Sequence, residues 1–114
     1  MEIEELKKKW EKVKQMLVKQ YGEELGIQEI LFLIGVQELG KGYQKFTKDQ
    51  KMDLMHIATC RLLSSFGYYE LEGVDAEGWP HWKEKEKIPY LTIQQQERLI
   101  RQGIVDYFEE SGLI

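Results

Sequence analysis

One cysteine, two prolines and two histidines among 114 residues leave this chain short of the side chains from which small folds are stapled or reactive centres assembled. Cys60 alone cannot close an internal disulfide, so stability has to come from a core, and an unpaired thiol agrees with a reducing compartment. Long apolar runs are missing too. The longest, Ile30 to Ile34, falls far below the roughly 20 residues needed to span a bilayer, and the N-terminus is too charged for a signal peptide. These absences set the expectation of a cytoplasmic protein without membrane contact. No low-complexity tract or internal repeat is visible. The formal net charge of −4 argues against general nucleic-acid binding.

What is present suits a folded soluble protein: hydrophobic residues make up 42% and charged residues 32%, unlike a disordered chain. A chain of this length buries about 65% of its unfolded surface, enough for one domain spanning 1–114. Ile3, Leu6, Trp10, Val13 and Leu17 alternate steps of three and four, which places them on one stripe of a first helix. Glutamates at positions 2, 4 and 5 precede lysines at 7, 8 and 9, giving favourable pairs and a favourable alignment with the helix dipole. Tyr21-Gly22 ends it. The stripe has coiled-coil spacing but is short, so packing inside its own fold competes with self-association.

Leu25 to Leu39 is apolar nearly all round. Ile30 to Ile34 alone would also suit a buried strand, but the whole segment is longer than strands usually run, so a central helix is expected, with Gly35 at a close helix contact. Gly40-Lys41-Gly42 breaks the pattern. Thr47 with Gln50 reads as a capping box opening a third helix to about Phe66, and Thr92 with Gln95 repeats it for a fourth. The fourth carries Ile93, Ile100, Ile104, Tyr107 and Phe108 on one face and ends before Gly112.

Between the third and fourth helices, an insert at about 67–91 is dense in aromatic residues. Tyr68 to Glu72 and Trp82 to Lys87 are expected to pair as a short antiparallel ribbon around Gly73 to Gly78, with Pro80 limiting the pairing. Lys83 to Lys87 alternate in charge, as a solvated edge does. The expected fold is mainly α: four helices with a β-hairpin-like or irregular aromatic insert.

Four constellations bear on chemistry. Gly35 to Gly42 has the glycine and lysine spacing of a phosphate-binding loop, yet Gly42 stands where a magnesium-binding hydroxyl is needed and Glu38 would oppose phosphate. Gly73, Asp75, Glu77, Gly78 and Glu84 fall on calcium-loop positions, but the first lacks its carboxylate and Pro80 and His81 are poor occupants of the second half. Asp49, Asp53, His56 and Cys60 share a stripe of the third helix and together suit one transition-metal ion, completed from the insert by His81 or Glu72. Each also has a plain structural role: dipole-favoured acids, a packed or solvated histidine and a small core thiol. His56 and Cys60 sit on the same helix, a geometry for chelation more than for in-line attack, and no acyl-transfer motif is present. Ser64 and Ser65 read as polar residues closing a helix. The lysines of the first helix are most simply solvated.

The functional expectation is therefore a non-catalytic protein-interaction module, contacting a protein partner or a second copy of itself and needing no cofactor. Its contact candidates are Tyr68, Tyr69, Trp79, His81 and Trp82 of the insert and Trp10 of the first stripe. The alternative is a small-ligand or metal-binding protein centred on His56, Cys60 and the insert.

Overall fold

The computed structural model describes residues 3–42 and 44–114; the charge pairing expected of Glu2 lies outside them. The described residues form four helices, α1 (Ile3–Tyr21), α2 (Ile27–Leu39), α3 (Lys48–Ser64) and α4 (Ile93–Glu110), and two strands, β1 (Tyr69–Val74) and β2 (Pro80–Glu84), between α3 and α4. The fold is mainly α with an antiparallel hairpin. No helix among the described residues is long and apolar enough to cross a membrane. The chain divides into two compact units: one holds α1 and α4, running up to Leu25 and again from Pro89, and the other runs Gly26–Ile88.

In the first unit, Leu6, Val13 and Leu17 of α1 and Ile104, Val105 and Phe108 of α4 are buried. Leu6, Val13 and Leu17 of the three-four stripe are thus buried, while Ile3 is 49% exposed and Trp10 is half-buried. Ile93, expected on the inner face of α4, is 73% exposed because it occupies the first helical position, where the chain is only entering the helix. Thr92 accepts from the Gln95 backbone N–H while the Gln95 side chain accepts from the Thr92 N–H, the reciprocal cap that the spacing predicts.

In the second unit, α2 packs on α3, and the contact is close at Gly35. A Cβ there would lie 2.2 Å from the Leu54 carbonyl oxygen, so only a residue without a side chain lets the two backbones approach. Ile30 and Ile34 of α2 and Leu54, Ala58 and Leu62 of α3 are buried. Arg61 and Glu38 tie the same two helices with an ion pair at 3.3 Å. The α2 N-terminus begins at Ile27 and is half capped. The Glu29 carboxylate accepts from the Gly26 N–H, but Gly26 has no side chain to return the bond. Thr47 and Gln50 make the full reciprocal cap of α3.

The α3 helix stops at Ser64, slightly before the expected Phe66, because Gly67 takes a left-handed conformation (φ 87°). The Gly67 N–H returns to the Ser64 carbonyl and the Tyr68 N–H to the Leu63 carbonyl, the two bonds that close a helix on glycine. Ser64 and Ser65 hydroxyls donate to the carbonyls of Arg61 and Leu62, as their position at the helix end suggested. That closure turns the chain back so that β1 and β2 both rest on α3.

The hairpin strands reach further toward the turn than the expected segments, β1 to Val74 and β2 from Pro80. Tyr69 pairs with Glu84, Leu71 with Trp82 and Val74 with Pro80, with an irregularity between Leu71 and Gly73. The ladder ends at the Val74–Pro80 pair, with Pro80 the first residue of β2, a strand position that tolerates the missing N–H. The loop is shorter than expected because Asp75 organises it, as described below.

Candidate functional site

A cleft of about 410 Å3 lies between α3 and the hairpin, wholly inside the second unit. One wall is a stripe of α3: Gln50, Asp53, His56 and Ile57, residues spaced to share a helix face. The other wall is Asp75, Glu77, Trp79, Pro80, His81 and Trp82 from the loop and β2.

The loop wall is built on Asp75. Its Oδ1 accepts the backbone N–H groups of Glu77 (2.9 Å) and Trp79 (3.0 Å), and its Oδ2 lies 2.8 Å from His81 Nε2. The Gly78 N–H donates to the Asp75 carbonyl and the Asp75 N–H to the Trp79 carbonyl. This is a tight turn with aspartate first and a left-handed glycine (Gly78, φ 87°) fourth, a pairing of residues that suits it. The hydrogen bond from His81, followed by that from the Trp79 backbone, holds the Asp75 carboxyl below its ordinary value. Outside the loop, the Lys41 ammonium donates to the Glu77 carbonyl.

Trp79 has two duties. It faces the cleft, and it packs edge-on against Phe46 (ring centroids 6.4 Å), which in turn meets Phe32 edge-on at 6.0 Å. These rings lie on the buried cluster of Leu39, Phe46 and Leu54, so the loop wall is anchored in the core. Trp82 is half-buried, and its indole Nε1 is shut from solvent without a hydrogen-bond partner among the described residues. Asp53 and Glu77 are exposed, and neither makes a side-chain hydrogen bond or ion pair among the described residues. No lysine or arginine lines the cleft.

The candidates from the sequence therefore separate. Trp79, His81 and Trp82 come together with Asp53 and His56. Tyr68 and Tyr69 are half-buried and do not line the cleft; burial, then nearby Cys60 and Glu84, holds the Tyr69 hydroxyl above its usual range. Leu71 is 52% exposed and does not fold back over the core. Trp10 belongs to the other unit, with the Arg101 guanidinium 5.5 Å from its ring centre. The metal stripe runs from solvent into the core: Asp49 is exposed and outside the cleft, while Cys60 is fully buried. Cys60 Sγ lies 3.5 Å from His56 Nε2, and burial pushes the thiol up to about 11, away from the thiolate that metals and nucleophilic chemistry require. Among the described residues no group of three or more His, Cys, Asp or Glu side chains is placed to hold a metal ion.

The phosphate-loop spacing at Gly35 to Gly42 is the C-terminal half of α2 and its glycine stop, and it presents no helix N-terminus to an anion. Sequence reasoning missed Asp75 as the loop's organiser, although Asp75 and Gly78 at first and fourth turn positions were a legible cue. Phe46 and Gln50 as parts of the site's support and wall had no local cue.

Compared with known proteins, the chain matches no family model, no curated protein and no solved structure.

Proposed function

We propose that the chain is a non-catalytic interaction module of the cytoplasm whose α3–hairpin cleft receives a cationic side chain, lysine or arginine, of a protein partner. The observation that carries this reading is the meeting of two indoles, Trp79 and Trp82, with two unspent carboxylates, Asp53 and Glu77, in one cleft without a lysine or arginine. Indole is the strongest aromatic partner for a cation, contributing about 0.5–1 kcal/mol at exposed sites and about 2 kcal/mol where water is excluded. Carboxylates beside it add charge-assisted hydrogen bonds. The turn fixed by Asp75 and the anchoring of Trp79 on Phe46 hold the loop wall before any partner arrives, which lowers the ordering cost of binding.

A non-catalytic role fits the same geometry. Cys60 is buried and protonated, and Asp75 is occupied by the turn and His81. The lone unpaired thiol suits the reducing cytoplasm.

The test is titration with end-capped Gly-Lys-Gly and Gly-Arg-Gly peptides, followed by tryptophan fluorescence. The expected result is saturable binding that weakens with salt and at least tenfold in the Asp53→Asn, Glu77→Gln double variant. Trp82→Phe removes an indole N–H that has no partner among the described residues, so stability should hold within about 1 kcal/mol while affinity falls. Equal binding of a peptide with norleucine in place of lysine, or undiminished binding by the folded double variant, would reject the proposal.

A further inference from the structure

A separate groove of about 250 Å3 opens in the unit of α1 and α4, between the N-terminal halves of those two helices. Ile3 and Trp10 give it an apolar surface. Lys7, Arg98 and Arg101 surround it against a single acidic residue, Glu97. Neighbouring cations of the same unit are neutralised: Lys9 is held by Glu5 and Glu109, and Lys14 by Glu11 and Glu24. Lys7, Arg98 and Arg101 make no such ion pair among the described residues. Arg101 lies over the Trp10 ring, a contact that uses the guanidinium's charge and face and leaves its five N–H donors unspent.

We propose that this groove docks an acidic segment of a partner polypeptide. An aromatic or aliphatic side chain of that segment rests on Trp10 and Ile3, and flanking Asp or Glu carboxylates meet Arg98, Arg101 and Lys7. Charge complementarity selects this occupant. Three cations against one carboxylate, among the described residues, in a protein of net charge −4 form a local exception to its overall sign, so a short acidic segment is attracted while a long polyanion meets repulsion from the rest of the molecule. The apolar surface beside the cations favours a peptide, which brings an apolar side chain next to its carboxylates, over a phosphate backbone, which does not. Arginine is also the residue best matched to carboxylate geometry.

The experiment is two-dimensional NMR of the full chain at low salt, titrated with an end-capped Glu-Phe-Glu-Glu peptide. The Trp10 indole N–H is read directly and assigned through Trp10→Phe. The expected result is a saturable shift of that resonance, weakened at least tenfold in Arg98→Glu, Arg101→Glu. Both positions are exposed on α4, and Lys7→Glu on α1 gives a second, single-site variant should the double one lose helix by circular dichroism. The proposal is overturned if the Trp10 resonance stays still, if the folded variants bind as tightly, if Gln-Phe-Gln-Gln binds equally, or if a single-stranded oligonucleotide binds this groove more tightly than the peptide.

Discussion

Asp75 places one oxygen on two backbone N–H groups and the other on His81, so one side chain sets both the turn and the position of a cleft residue. Its carboxyl is held below the ordinary 3.8 in the folded protein. The folded state therefore binds this proton more weakly than the unfolded chain does. The resulting stabilisation is complete above the unfolded value of about 3.9 and is lost as pH falls through the lower folded value. Acidification below pH about 4 should loosen the hairpin, seen as a change in Trp79 and Trp82 fluorescence, and Asp75→Asn should shrink that acid limb while weakening the turn at neutral pH. An acid limb of the same size in the variant would show that other carboxyls govern the loop.

At the scale of elements, the close approach of α2 to α3 hinges on Gly35. Gly35→Ala would drive a Cβ into the Leu54 backbone, which neither rigid helix can relieve locally. The expected cost is about 3 kcal/mol, at the upper end of ordinary overpacking, measured by chemical denaturation; a loss under about 0.5 kcal/mol, the range of neutral surface substitutions, would mean the helices do not approach as described. Much of this level was legible beforehand. Capping boxes at Thr47 and Thr92, glycine stops and the apolar length of α2 are local properties, and each led to the element found. The hairpin's presence was legible from its turn residues and flanking aromatic runs, but its register was not. Register depends on which residue closes the turn, and Asp75 does so with its side chain, drawing Pro80 to the head of β2.

Across the whole molecule, the chain carries two concavities of opposite character: an acidic, tryptophan-lined cleft in the unit Gly26–Ile88 and a basic groove at Trp10 in the unit of α1 and α4. Composition showed a mildly acidic protein and could not show this division, because net charge sums over residues that the fold separates. The membership of the cleft was half legible. Asp53 and His56 were visible as a helical stripe, and Trp79, His81 and Trp82 as insert aromatics and their neighbour, each from local spacing. That these two sets face each other is a tertiary fact, settled by the glycine closure of α3 and the packing of Trp79 on Phe46. Cys60 and Asp49 shared the stripe's spacing and still fall outside the cleft, one in the core and one in solvent.

The central claim is that a partner's cation seats between the indoles and the free carboxylates of the cleft. It is tested most directly by intermolecular nuclear Overhauser effects between the isotope-labelled protein and an end-capped lysine peptide at saturation. The account expects contacts from the lysine side-chain methylenes to the Trp79 and Trp82 ring protons, lost in Asp53→Asn, Glu77→Gln. Contacts confined to other surfaces, or none at saturating peptide, would contradict it.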